Sequence, residues 1–256
     1  YFDHLLCKGQ CQTFVTASWF FSGEIAGTYR EKRNIKSKKT MKKLSQFIKE
    51  NGAFVYPTIV VWCVGLALVL SISKADIHLF SNRLNSPVAD IFFKYYTQMG
   101  ETVPFIVAGV ILFFNVRKAS FLLAVLLVGT IISSSLKNFF RAERPKLFFE
   151  KLGIQLHVAE GVTLKSWNSF PSGHTMVAFA FLFGLASMIK NRNWKVVLFL
   201  LALLTGYSRI YLSQHFLQDT LAGSFIGVLV VSCLYPLFFD SKEWGNHSIL
   251  RWKKTN

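Results

Sequence analysis

The sequence predicts an all-α membrane protein. Its expected form is a bundle of six transmembrane helices, with an amphipathic segment on the membrane surface and a polar extracytoplasmic loop that carries the candidate active site. Three observations predict this. The 256 residues are 52% hydrophobic and only 16% charged, with a mean hydropathy of +0.38, a composition of bilayer-spanning rather than ordinary soluble chains. Apolar runs recur along the chain, separated by short polar segments. The net charge of +16 gathers mostly beside those runs, which is a topological signal and not a nucleic-acid footprint.

Residues 1–50 read as a basic cytoplasmic N-terminal extension. Thr13 to Phe21 is mildly apolar but too short to span, and Arg30 to Lys39 is strongly basic. Met41-Lys42-Lys43-Leu44 resembles an ordinary bacterial start. Two readings of residues 1–40 stand level: an extension upstream of a natural start at Met41, or a native basic tail. Cys7 and Cys11 have no second CxxC or His cluster beside them, so no metal site is expected there. Cys63 and Cys233 fall in apolar runs and read as small hydrophobes.

Asn51 to Ser73 contains no charged residue and meets the requirement of about 20 residues for a spanning helix. In residues 74–100, Ile77, Phe80, Leu84, Val88, Ile91, Phe92 and Tyr95 recur at helical spacing among charges, which predicts an amphipathic segment on the membrane surface. Thr102 to Val116 is the second span and Ala119 to Leu136 the third. Residues 138–170 form a polar connection, in which weak alternation around Glu160-Gly161 predicts a small hairpin. Thr175 to Ile189 and Val196 to Tyr207 are the fourth and fifth spans, and Leu221 to Phe239 is the sixth, so that 51–240 forms one unit and 241–256 a basic cytoplasmic tail.

Six spans place both termini on one side. That side also holds Arg30–Lys49, Arg117-Lys118, Lys190, Arg192 and Lys195, so the positive-inside rule makes it cytoplasmic. Segments 74–100, 137–170 and 208–219 then share the outer face. Lys137, Arg141 and Arg144 lie there against the topological bias, which fits either an anchor to phospholipid headgroups or a clamp on a phosphate. Ser169-Phe170-Pro171-Ser172-Gly173-His174 opens the fourth span, where free N–H groups and the helix dipole attract an anion. Ser208 and Arg209 add a hydroxyl and a five-donor cation, while His215 and Asp219, four apart, share one helix face. There the carboxylate can fix the imidazole tautomer.

These residues carry a resemblance. Lys137-x6-Arg144-Pro145, then Pro171-Ser172-Gly173-His174, then Ser208-Arg209-x5-His215-x3-Asp219 is similar to the three-part signature of the type 2 phosphatidic acid phosphatase superfamily, in its membrane-bound lipid phosphatase branch. The match holds at every signature position, in order, and covers roughly 51–240. The resemblance implies that His215 is a nucleophile forming a phosphohistidine, that Asp219 orients it, and that His174 is the general acid. It implies that Lys137, Arg144, Arg209, Ser172 and Gly173 hold the phosphoryl oxygens. Arg141, Ser208 and Lys146 are expected around them. No cofactor or metal is implied, since Asp219 is committed to His215 and no carboxylate cluster suits Mg²⁺.

The expected function is metal-independent hydrolysis of a lipid phosphate at the extracytoplasmic leaflet of a bacterial inner membrane. Phosphatidic acid, phosphatidylglycerol phosphate, undecaprenyl pyrophosphate and lipid A phosphate all offer the required group. The partners expected are that lipid substrate and the bilayer; nucleic acid is not, and the oligomeric state stays open. Two other readings compete: a transporter or channel for phosphate-like anions, and a catalytically silent binder of lipid phosphates. The intact His174, His215 and Asp219 set weighs against the second, and the absence of a midplane charge cluster against the first.

Overall fold

The computed structural model describes residues 42–239, and the expectations on residues 1–41 and 240–256 lie outside them. The chain divides into two compact units at Glu50/Asn51. Of the first, residues 42–50 are described and form helix α1. The second is built of helices and irregular connections, with one isolated bridge, Glu143 to Trp167, and no strand among the described residues.

Helix α2 (Gly52–Ser71) is the uncharged first run. It buries only a narrow stripe, and Val60, Val64, Leu66 and Leu70 are exposed, as lipid-facing side chains would be. Phe54 anchors it, stacking on Phe183 at 4.8 Å and meeting Phe199 edge-on at 5.8 Å.

The segment after it carries the expected stripe on two short helices. It forms α3 (Lys74–Arg83) and α4 (Pro87–Tyr96), capped by Ser73 and Ser86. Helix α3 buries His78, Ser81 and Asn82, whereas Phe80, Leu84, Val88, Ile91, Phe92 and Tyr95 are exposed. The apolar stripe is exposed, while α3 turns a polar face inward and α4 buries Phe93. The cause is a polar turn beneath: Ser213 Oγ lies 3.2 Å from both His78 Nε2 and Asn82 Nδ2. A buried hydroxyl needs such partners, and an apolar face needs none where the surroundings are lipid.

A 3₁₀ turn (Thr97–Gly100) links α4 to α5 (Val103–Phe114). The two arms meet at a bend of 47°. Helix α6 (Val116–Phe140) starts at Asn115, whose side chain accepts from Lys118 N, and stops at Arg141 in the left-handed region, φ 44°. Arg117 belongs to this helix and donates from Nε to the Phe238 carbonyl at 2.7 Å.

The polar connection contains the short helix α7 (Pro145–Lys151). The hairpin expected around Glu160-Gly161 is not formed; only its turn exists, closed by Val162 N to Ala159 O at 3.1 Å. Side chains take the backbone groups that a ladder would have used. Asn82 bonds both the N–H and the carbonyl of His157 at 3.0 and 2.9 Å. Lys94 donates to the Glu160 carbonyl at 2.8 Å, and Gln214 to that of Thr163 at 3.0 Å.

Helix α8 (Gly173–Ser187) is the central element, buried on all sides and packed against α10 (Leu217–Phe239), α9 (Arg192–Tyr211) and α6. A helix apolar all round belongs in a core. Its closest neighbour is α10: a Cβ added at Gly227 would lie 2.7 Å from the Met176 carbonyl and 2.8 Å from Ala180 N. Gly223 meets the Ser172 carbonyl in the same way. This small-xxx-small contact lets two backbones touch.

Among the described residues, four helices, α2, α6, α9 and α10, are long and apolar enough to cross a membrane, and the bent α4–α5 pair makes a fifth if counted as one span. The expected fourth span, α8, is apolar but has 15 residues.

Candidate active site

The start of α10 builds the first half of the site. Asp219, the third helical residue, reaches back so that its Oδ2 accepts from the Phe216 N–H at 2.9 Å, the carboxylate half of a capping box. The same oxygen accepts from Ser169 Oγ at 2.5 Å and lies 3.5 Å from His215 Nδ1. Ser169 Oγ is itself 3.5 Å from that nitrogen. Nδ1 therefore faces two oxygens, and Nε2 is the nitrogen left to react. Ser169, His215 and Asp219 are each 1% exposed.

His215 sits in the turn between α9 and α10. Gln214 N and His215 N both donate to the Arg209 carbonyl, at 3.0 and 3.1 Å, with Ser213 at φ 53°. Burial, then the charges of Arg144, Arg209 and Lys137, hold the His215 imidazole well below its ordinary value. The ring is thus neutral at neutral pH, the form a nucleophile requires.

The start of α8 supplies the second half. Ser172 caps it, accepting from Thr175 N at 3.4 Å and lying 2.9 Å from Thr175 Oγ1. Ser172 N donates to the Asp219 carbonyl at 2.9 Å, which ties the two helix starts together. Gly173 follows, with the free N–H groups of a first turn. A Cβ on it would lie 3.1 Å from Lys137 Nζ, so the glycine admits that ammonium group to the helix N-terminus. His174 Nε2 lies 3.2 Å from Glu101 Oε2.

The two signature arginines differ. Arg144 donates from Nε to the Trp167 carbonyl at 2.9 Å, from Nη1 to the Gln214 carbonyl and Oε1 at 3.1 and 3.0 Å, and from Nη2 to the Asn168 carbonyl at 3.4 Å. Four of its five N–H groups are engaged by the protein. Arg209 gives one bond, Nη1 to Thr97 Oγ1 at 2.6 Å. Its Nε is buried without a partner, and a buried donor of that kind is costly unless a ligand satisfies it. Ser133 Oγ, one turn before Lys137, is likewise buried and unpartnered.

The structure thus brings Lys137, Arg144, Ser172, Gly173, His174, Arg209, His215 and Asp219 to one place. The three expected around them fare differently. Ser208 donates to the Thr205 carbonyl of its own helix at 2.7 Å. Lys146 lies 3.9 Å from Glu150 on α7, and Arg141 is exposed at the end of α6. Sequence reasoning missed Glu101 and Thr97, which carry no motif signal, and gave Ser169 no role although it abuts the Pro171–His174 stretch. Among the described residues, no group of three or more His, Cys, Asp or Glu side chains could hold a metal ion.

The sequence profile of the PAP2 superfamily matches residues 118–243. The solved structure of Aquifex aeolicus LpxE superposes with a TM-score of 0.56 and 30% identity, covering 63% of this chain and 94% of that one. The chain belongs to the PAP2 superfamily. Among curated PAP2-like relatives, lipid phosphate phosphatase 2 of Arabidopsis thaliana is 30% identical over 156 residues, 50% of this chain and 53% of that protein. Undecaprenyl-diphosphatase BcrC of Bacillus subtilis is 39% identical over 74 residues, 28% of this chain and 36% of that protein. The chain spans about half or less of the length of these curated relatives. The PAP2 match contains every signature residue, from Lys137 to Asp219.

Proposed function

We propose that this protein is an integral-membrane lipid phosphate phosphatase. The observation that carries the reading is the setting of His215: Nδ1 is held against Ser169 and Asp219, and Nε2 is left free among Lys137, Arg144 and Arg209. In the first step His215 Nε2 attacks phosphorus. The P–O ester bond breaks, and the leaving oxygen keeps the electron pair and takes a proton from His174. In the second step water attacks the phosphohistidine, gives a proton to His174, and the P–N bond breaks to release phosphate. Charge spread over the equatorial oxygens meets the Arg209 Nε and free Nη2 hydrogens, the remaining Arg144 hydrogen, the Lys137 ammonium and the α8 N-terminus. Those fixed cations can do the work of a metal ion, so the reaction is proposed as metal-independent.

The proposed topology has six spans, with α8 crossing as a short helix shielded by its neighbours and the α4 arm lying at the surface. Arg117, Lys118, Lys190 and Arg192 then face the cytoplasm of a bacterial cell and the site faces outward. The substrate is a lipid bearing a terminal phosphate, of the kind named for the relatives.

Phosphate release from phosphatidic acid in detergent tests the reading. Activity should persist in EDTA, disappear in His215→Ala and be inhibited by vanadate. Turnover by His215→Ala would discard the mechanism, and loss in EDTA restored by Mg²⁺ would discard the metal-free site. Lipid-phosphate binding without turnover would leave the silent-binder reading in its place.

A further inference from the structure

Resting on the phosphatase reading, we propose that Glu101 sets the leaving-group selectivity of the site, favouring phosphate monoesters of uncharged alcohols over pyrophosphates. Glu101 closes the 3₁₀ turn between α4 and α5. Its carboxylate is 3.2 Å from the Nε2 of His174, the proposed proton donor to the leaving oxygen. The contact is built into the backbone. A Cβ on Gly100 would lie 2.5 Å from the His174 carbonyl, so the turn is docked directly on the first turn of α8. Arg209 also feels the Glu101 charge. Arg209, His215, Lys137 and Arg144 surround His174, and Glu101 is the carboxylate in contact with its ring. Its side chain is 56% exposed, against 26% for His174, and so lies on the solvent side of the imidazole. A leaving group that departs on that open side passes the carboxylate.

Two consequences act in the same direction. A carboxylate 3.2 Å from Nε2 can accept the hydrogen there and hold the ring so that its other nitrogen delivers a proton to the leaving oxygen. An alcohol is a poor leaving group and needs that proton; the phosphate monoester expelled from a pyrophosphate does not. A pyrophosphate, moreover, would bring its second, anionic phosphate toward the carboxylate, where like charges repel.

The test uses the full chain in detergent with phosphatidic acid, p-nitrophenyl phosphate and farnesyl diphosphate, comparing wild type, Glu101→Gln and Glu101→Asp. Glu101→Gln should lower kcat/KM for phosphatidic acid by about tenfold or more, within the range of a general-acid contribution. It should lower p-nitrophenyl phosphate turnover less, and raise that of farnesyl diphosphate. Glu101→Asp should restore the wild-type order. An unchanged ratio of monoester to diphosphate turnover, or an equal loss on all three substrates, would overturn the inference. A wild type inactive on all three would remove the phosphatase reading and the inference with it.

Discussion

Ser169 Oγ donates to Asp219 Oδ2 at 2.5 Å, and the same hydroxyl faces His215 Nδ1 at 3.5 Å. Asp219 approaches that nitrogen no more closely, also at 3.5 Å. The imidazole is therefore oriented by a pair of residues rather than by the carboxylate alone. Removing the hydroxyl leaves Asp219 with the Phe216 N–H and His215 with a looser partner. Ser169→Ala should lower kcat by about 10- to 100-fold, the cost typical of an orienting outer partner, with KM little changed. Asp219→Asn should cost more, roughly 10⁴-fold, because it can stabilise the wrong tautomer. Steady-state kinetics on a lipid phosphate check both; a wild-type kcat in Ser169→Ala would show that Asp219 suffices.

The arginines should separate stability from catalysis. Arg144 is 6% exposed and bonds three backbone carbonyls and the Gln214 side chain. A lysine cannot reproduce that fork, and the stranded acceptors are buried. Arg144→Lys should destabilise by roughly 2–4 kcal/mol, read as a lower melting temperature in detergent. Arg209→Lys loses the unpartnered Nε instead. It should melt close to wild type but lose about 10²- to 10³-fold in kcat/KM, as for other removed transition-state donors. A reversed pattern would exchange their roles.

The apolar runs and the ordered signature were legible in the sequence because composition marks a bilayer segment and motif order marks a site. What stayed hidden has a common cause. In a lipid-facing protein, hydrophobic periodicity does not say which face meets protein, so the Phe80, Leu84, Val88 and Ile91 stripe gave no sign that His78 and Asn82 are the residues packed inward. Glu101 and Thr97 reach the site only because of the bend after α4. That bend depends on Gly100 fitting against His174, a tertiary fact with no local signal. The 154–164 alternation failed because Asn82, Lys94 and Gln214 took the backbone partners of the hairpin.

Acid should destabilise the fold through its buried imidazoles. Burial pushes His78 down to about 4, with the Asp219 carboxylate opposing, and its Nδ1 has no partner among the described residues. Both His78 and His215 are neutral in the folded protein at neutral pH, whereas unfolded histidines titrate near 6.5. Below that pH the unfolded chain binds more protons, so stability falls from about pH 6.5 toward pH 4. For His78 alone the full loss is roughly 3 kcal/mol. Melting temperature in detergent should drop over this window. His78→Asn keeps a hydrogen-bonding group for Ser213 but cannot titrate, and should flatten the drop. An equally steep decline in that variant would remove His78 as a cause.

The contact between α8 and α10 should be as important as any catalytic side chain, because it fixes how the two halves of the site face each other. Asp219 comes from the start of α10 and His215 from the turn before it, while Gly173 and His174 come from the start of α8. The Ser172 N to Asp219 O bond of 2.9 Å records their spacing. Gly227 lies where a Cβ would be 2.7 Å from the Met176 carbonyl, a backbone atom that no rotamer change can move. Gly227→Ala should push the helices apart, cost about 1–3 kcal/mol by overpacking, and lower kcat through misalignment of His215 with the α8 N-terminus. Gly109→Ala is the control: a Cβ there meets no atom within 4 Å, and alanine is the better helix former, so neither stability nor activity should fall. Melting and turnover measured on both variants decide it, and a Gly227→Ala protein as stable and active as Gly109→Ala would show that the close approach is not required.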